Sequence, residues 1–468
     1  MKSRVWMVLF AALAASAAPA SAQSDDPLTA IQQRLDALEQ QNTDLRNEVR
    51  VLREAFDKLR APTAAPAEPS RVDALEEKVA LHDARLADQD AVKAESSQRV
   101  PIRLTGVILF NAFANSRQAN PARDDPYYAA ANAAATPNVG GSLRQSLFGV
   151  DFHTPEAVLG GEVRGSALFD IFALSNSGGS DSVAVQTNTS PRLRTAWIEG
   201  RWGNRSVLAG LANTVLSPRE PNSLAQVFLP PLSGAGNLYG WRQQIRFEQR
   251  APLAGGREVV GQVALVQTVE DWPKVQAAFA SSLESKRPAL EAHAGFSQPI
   301  DDTRRIEIGA AYHLSSTHVA GLSIPSRIYS VDWLITPIDR VSLSGMFFNG
   351  ENVGNAAGRN AYGFSILTPS PGVVRAIAVR TYGAWTQVAV QAAPRLKLHV
   401  YSGIEDPNDA DTIGSDGVIR NTVGAANTFF QLAPNVITGV EVSQTRTWYK
   451  AGQRPRLTHY DLYVAYVF

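Results

Sequence analysis

Two periodicities divide this chain at Pro101. Before it, apolar residues recur every three and four positions; after it, apolar and polar residues alternate in stretches of about ten separated by turn-forming residues. The first pattern runs Leu28, Ile31, Leu35, Leu38, Asn42, Leu45, Val49, Leu52, Phe56, Leu59 without a break. It predicts a heptad seam of about five repeats, with Leu28, Leu35, Asn42, Val49 and Phe56 at one seam position and Ile31, Leu38, Leu45, Leu52 and Leu59 at the other. One helix cannot bury such a stripe alone, so the seam predicts self-association. Asn42 is the kind of polar seam residue that fixes register and strand number. The alternative, an amphipathic helix packed on its own domain, fits less well because the remaining positions are almost all polar. At 1.5 Å per residue the rod would be about 50 Å long.

The second pattern predicts sixteen strands, at 102–114, 143–153, 159–173, 191–202, 205–216, 238–250, 257–270, 289–298, 304–315, 326–336, 340–350, 378–392, 395–405, 421–432, 436–448 and 456–468. Connections alternate between tight (Thr154-Pro-Glu156, Gly203-Asn204, Asp301-Asp-Thr303, Pro337-Ile-Asp339, Ala393-Pro394, Ala433-Pro434) and long (116–142, 174–190, 217–237, 271–288, 351–374). That is the pattern of a barrel with one rim in the periplasm and the other outside. The last strand puts Tyr460, Leu462, Val464, Tyr466 and Phe468 on one face and Asp461 on the other. Only helices and closed barrels pair all their backbone groups in a bilayer. The expected fold is therefore an all-β transmembrane barrel of about sixteen antiparallel strands, preceded by an α-helical coiled coil. AYGFSILTP, within 360–378, could be a further strand, which leaves a count differing by two open.

Lys2 and Arg4 precede an apolar run from Val5 to Ala18, followed by Ala20-Ser21-Ala22. This reads as a cleaved export signal at 1–22, because its apolar part is shorter than the ~20 residues a spanning helix needs. A periplasmic coiled coil at 23–60 follows, then an Ala/Pro linker and a weaker heptad at 61–100, then the outer-membrane barrel at 101–468. Ala61–Pro69, APTAAPAEP, is the semi-rigid spacer. The weaker heptad places His82 on its seam as a tolerated polar residue rather than a ligand. The absence of cysteine suits passage through an oxidising compartment. Forty-four basic against 44 acidic residues argue against a nucleic-acid binder.

Side-chain parity separates lipid-facing from lumen-facing positions. In strand 238–250, Gln243, Ile245 and Phe247 share one face, and Arg242, Gln244, Arg246, Glu248 and Arg250 the other. Each arginine would cost about 2–4 kcal/mol at mid-bilayer, so the second set is expected to line the pore. The same argument turns Glu162, Arg164, Asp170, Lys397 and His399 inward, together with Glu291, His293, Glu307, His313, Asp332, Glu441 and Asp461. For each of these the competing reading is an ion pair within the wall. In the apolar connection 217–237, Leu224, Val227, Phe228 and Leu229 are expected to pack on the wall. Arg219 and Glu220 are expected to face the Arg242/Arg246/Arg250 row across a constriction, setting up a transverse field. No phosphate-binding loop, H-E-x-x-H motif or nucleophile elbow is present, so no catalytic residue, metal or cofactor is expected. A cell-wall (peptidoglycan) tether is the alternative function. An outer-membrane enzyme using inward His293, His313 or His399 with a serine is a lesser one.

The order of parts, with RLTGVILFNAF at 103–113, SLFGVDF at 146–152 and LRTAWIEGRWGNRSVLAGL at 193–211, resembles the DcaP-like porins, trimeric outer-membrane channels with a periplasmic N-terminal coiled coil. The resemblance implies a sixteen-stranded homotrimer in outer-membrane lipid that admits small hydrophilic, often anionic, solutes. The inferred lumen face carries no overwhelming basic excess, which weakens the anionic part. Phe468 resembles the C-terminal aromatic by which such barrels are recognised for assembly. In porins generally, a loop placed like 174–190 latches a neighbouring protomer.

Overall fold

The computed structural model describes residues 102–468, except 118, 122–123, 133–135, 155–159, 172–190, 269–278, 280–281, 285–286, 357–362 and 414–416. The signal segment, the seam residues Ile31, Leu35, Leu38, Asn42, Leu45, Val49, Leu52, Phe56 and Leu59, the linker and the 174–190 loop lie outside the described residues.

Sixteen antiparallel wall strands close into one cylinder. They are Ile102–Asn115; a second strand in two pieces, Asn138–Ser142 and Leu147–Thr154; Glu162–Asp170; Arg192–Trp202; Arg205–Asn213; Trp241–Pro252; Glu258–Gln267; Pro288–Pro299; Arg305–Val319; Leu322–Ile338; Val341–Glu351; Arg380–Ala393; Leu396–Pro407; Val418–Ala433; Val436–Tyr449; and Arg456–Val467. Each pairs with its sequence neighbours, and the first pairs with the last from Val107↔Val467 to Asn115↔His459. Phe364–Ser370 and Val373–Ala378 form a separate hairpin outside the wall, so the count is sixteen.

Alternation along the last strand shows why closure suits this sequence. Tyr460, Leu462, Val464 and Tyr466 are exposed on the outer surface, whereas Leu457, His459, Asp461, Tyr463 and Ala465 are buried inside. A lipid-facing apolar band and a polar interior follow from the period of two.

Two departures from the expected strands have local causes. The second strand is broken at 143–146, where four residues span the gap that three residues of the first strand cover, between Asn111↔Ser142 and Val107↔Leu147. Ser146 fills the break: its Oγ accepts the Leu109 N–H at 3.0 Å and donates to the Leu143 carbonyl at 2.7 Å. The extra residue re-aims Arg144 and Gln145 into the interior, as a bulge does. The hairpin around Ala320-Gly321, both at positive φ, runs four residues further out on each arm than the alternation suggested. Its added apolar residues Val319 and Ile324 are covered by Ile366 of the distant hairpin.

The chain end is stitched into the seam. Phe468 N–H donates to the Gly106 carbonyl at 3.1 Å, and Gly106 N–H to the Phe468 carbonyl at 2.9 Å. The Phe468 ring lies over Gly106, with Tyr466 and Phe148 centroids 6.3 and 6.5 Å away. A Cβ at Gly106 would meet that ring and the Leu147 carbonyl at 2.6 Å. Gly106→Leu should therefore lower the temperature at which the barrel unfolds in detergent, by an overpacking cost of about 1–3 kcal/mol. Gly261→Leu, at a strand position with nothing within 4 Å, should not.

Candidate functional site in the barrel lumen

The connection from Thr214 to Gly240 folds into the cylinder rather than over it. Strand side chains around most of the wall satisfy its backbone. Ser330 donates to the Leu216 carbonyl at 2.7 Å, Asn111 to that of Leu224 at 2.8 Å, Gln145 to that of Ala225 at 2.9 Å and Asn421 to that of Gly234 at 3.0 Å. Gln387 accepts the Asn222 N–H at 2.7 Å, and Asn427 donates to the Asn222 carbonyl at 2.8 Å. A loop inside a barrel keeps its irregular backbone only where such partners exist. The apolar side of the loop, Leu216, Leu232, Ala235 and Leu238, is buried with inward-facing Ile328, Met346, Phe348, Trp385 and Tyr401. Leu224 and Val227 pack against Leu109, Tyr463 and Ala465, and Phe228 and Leu229 against Tyr127 and Tyr239.

Glycines give the loop its seat. A Cβ on Gly403 would collide with the Ala235 carbonyl, and one on Gly236, which has φ +100°, with the Ala384 carbonyl. A second connection also turns inward: Asp125 accepts the Leu229 N–H at 2.8 Å, while Tyr449 donates to the Ala129 carbonyl at 2.9 Å. The alternation places 116–142 wholly among the long outer loops; hydrogen-bond partners far along the chain hold part of it inside.

The charged groups separate by depth and side. Arg219 does not face the arginine row. Its Nη2 and Nε donate to Glu307 and Asp332, each at 2.8 Å, because adjacent strands offer two carboxylates that fit one guanidinium fork. His293 contacts the same Asp332 at 3.0 Å. Glu220 turns the other way, into a cavity of about 400 Å³ with Arg164, Arg194, Arg246, Glu199, Trp197 and Trp241 on its walls. Arg194, one residue into the fourth strand beyond its first pair, was not among the expected lining residues. It lies 4.4 Å from the Trp241 ring centroid and donates to the Val227 carbonyl at 2.6 Å.

The remaining expected positions are dispersed. Arg242 donates to the Ala356 carbonyl at 3.0 Å, and Arg250 is held by Glu248 at 2.7 Å and Glu258 at 3.0 Å. The three arginines are thus not equivalent: Arg246 alone of the three lines the cavity, and it makes no ion pair among the described residues. Arg164 pairs with Glu199, and Asp170 is buried against Arg192 and Arg194. Glu162 is largely exposed, 3.8 Å from His153. Lys397 is exposed near a tight turn, whereas His399 is buried, bonded to Asn427 at 2.7 Å and edge-on to Phe429. Glu441 binds Ser223, Tyr401 and Asn427, and Asp461 accepts from Asn111. Phe468 sits in the closing seam.

Glu291, His313 and Ser315 line up as a relay, with both contacts to the imidazole at 3.0 Å. Ser315 donates to Asn355, His313 is 1% exposed, and Thr214 caps Glu291 at 2.6 Å. This network fastens the Val353–Asn355 turn and the root of the inward loop.

If the glycine seat holds the loop, Gly403→Leu should speed amide hydrogen exchange across 232–238 with the wall strands still protected. Gly424→Leu, whose nearest atom beyond its chain neighbours lies at 3.9 Å, should leave that exchange unchanged.

No protein-family model matches the sequence, and no curated protein matches it either. Among solved structures, the outer-membrane channel DcaP of Acinetobacter baumannii superposes with a TM-score of 0.61 at 14% identity, over 79% of this chain and 97% of that one. An anion-selective porin from Comamonas acidovorans gives a TM-score of 0.50 at 10% identity, over 79% of this chain and all of that one. The chain therefore has the sixteen-stranded barrel fold of the outer-membrane porins.

Proposed function

We propose that this protein is an outer-membrane porin, a water-filled channel through which small hydrophilic solutes diffuse passively, with anions favoured. The observation that carries the reading is the inward loop: it divides a polar lumen and leaves a cavity walled by three arginines and two glutamates. Fixed charge in a narrow pore focuses the field felt by a passing ion. The likeness to a porin described as anion-selective supports the sign of the preference. The constriction on this reading comprises Glu220, Arg164, Arg194 and Arg246. Arg219 anchors the loop, and Glu162, Glu248, Arg250 and Lys397 line the tight-turn mouth.

The heptad positions from Leu28 to Leu59 support a homotrimer joined by a periplasmic coiled coil, and Phe468 supports recognition of the last strand during assembly. Passive diffusion fits a sequence without a nucleotide-binding loop. Purified protein should insert into planar bilayers in three conductance steps. In a salt gradient at about 0.1–0.15 M, Arg246→Glu should move the anion-to-cation permeability ratio toward cations by roughly two- to fivefold, the size Coulomb's law gives for two charge units at about 8–10 Å in water screened over a Debye length of about 8–10 Å. Arg250→Ala, at the tight-turn end of the same strand and off the cavity wall, should shift it less. An unchanged reversal potential for Arg246→Glu would overturn the constriction assignment.

A further inference from the structure

A second cavity lies on the outside of the barrel and takes no part in the solute path. It is an open groove of about 860 Å³ across strands Arg305–Val319 to Val418–Ala433, near the rim of the long loops. Its floor is a row of tyrosines on one outward face. Tyr312 is opposite Tyr329, Tyr329 opposite Asn349, and Asn349 opposite Tyr382. All three rings are 41–49% exposed. Two residues closer to the rim, Arg327 is opposite Glu351 and Glu351 opposite Arg380, a step of roughly 7 Å along the strands. Arg420 completes the group.

The ion pairs in this groove are asymmetric. Arg327, Arg380 and Arg420 have side chains 60%, 64% and 47% exposed, while Asp411 and Asp406, the partners of the last two, are only 11% and 10% exposed. Arg380 uses Nε and Nη2 on Asp411, and Arg420 uses the same two nitrogens on Asp406. Each Nη1 is left pointing away from its carboxylate. Arg327 uses only Nη1, on Glu351 at 3.4 Å. The hydrogen bond from Arg380 holds the Asp411 carboxyl below the usual range, so that pair stays charged. The acids take the Nε/Nη2 edge of Arg380 and Arg420 from behind, which leaves the edge carrying Nη1 on the exposed side.

Tyrosine rings mark the boundary between hydrocarbon and headgroups on a barrel surface, and what lies just beyond them faces the headgroups. A guanidinium group with its second N–H edge left over at that depth matches phosphate, which such an edge binds with two parallel hydrogen bonds. We propose that this groove holds the phosphorylated headgroup of a lipid in the leaflet around the long-loop rim, with the phosphate on Arg327, Arg380 and Arg420 and the adjoining part of the lipid over Tyr312, Tyr329 and Tyr382. The inference rests on the barrel standing in a membrane and is independent of which solute the lumen admits.

Native mass spectrometry of the full protein in detergent tests it, with a diphosphorylated glycolipid, its dephosphorylated form and inorganic phosphate as probes. The wild type should retain the phosphorylated lipid, and millimolar inorganic phosphate should fail to displace it. Arg327→Gln/Arg380→Gln/Arg420→Gln should weaken retention about tenfold or more, as expected on losing charge-assisted contacts. Channel insertion by the variant shows separately that the barrel is intact. Should the triple variant form no channels, Arg327→Gln alone decides, with a smaller loss of retention expected. Equal retention by the variant, equal retention of the dephosphorylated lipid, or crosslinking of Tyr382→Cys between two protomers would each overturn the proposal.

Discussion

An amide without a partner in hydrocarbon costs several kilocalories per mole, so the pairing of the first strand with the last is the contact on which the rest depends. Nine residue pairs run from Val107↔Val467 to Asn115↔His459, and the backbone bonds between Gly106 and Phe468 extend the ladder to the terminal residue. An open sheet of the same sequence would expose two unpaired edges to lipid. Closing the ring also creates an inside, and the polar features of the lumen exist only because that inside is shielded from the bilayer.

The interior is then governed by a second constraint. Irregular backbone brought into the cylinder must find donors and acceptors there. Asn111, Gln145, Ser330, Gln387, Asn421 and Asn427 supply them from strands far apart in the chain. These amides and hydroxyls carry no charge, so they hold the loop without fixing the field in the channel. Charge is concentrated instead at Arg219 with Glu307 and Asp332, and around the cavity that Glu220 shares with Arg194 and Arg246. One connection thus separates an anchoring network from an open one. The inner and outer faces also use arginine differently. In the lumen, Arg194 and Arg219 act on loop backbone and carboxylates, whereas at the outer rim the guanidinium groups are presented to the surroundings.

Much of this was legible in the residues. Alternation between Tyr460 and Tyr466 identified the lipid face, parity placed Arg242, Arg246 and Arg250 on one side of their strand, and the apolar content of 217–237 marked the connection that folds inward. Other features were not legible. Arg192 and Arg194 sit at the edge of a strand beside a connection with no periodicity, so nothing local distinguished them from rim residues. The partner of Arg219 depended on two carboxylates about 90 and 110 positions away, which a local pattern does not bring together. The break at Leu143–Ser146 was hidden because its cause is a hydrogen bond to Leu109 rather than a glycine or proline.

The sequence by itself determined the strand period, the face taken by residues within unbroken strands and the alternation of short and long connections. All of these follow from neighbours one or two positions apart and from the cost of polar groups in lipid. Only the tertiary structure decided which arginine meets which acid, how far 214–240 enters the lumen, and that Gly403 and Gly236 are the points of closest approach. Those outcomes depend on the curvature of the closed sheet, which brings side chains of distant strands across one cavity, and no local pattern encodes that distance.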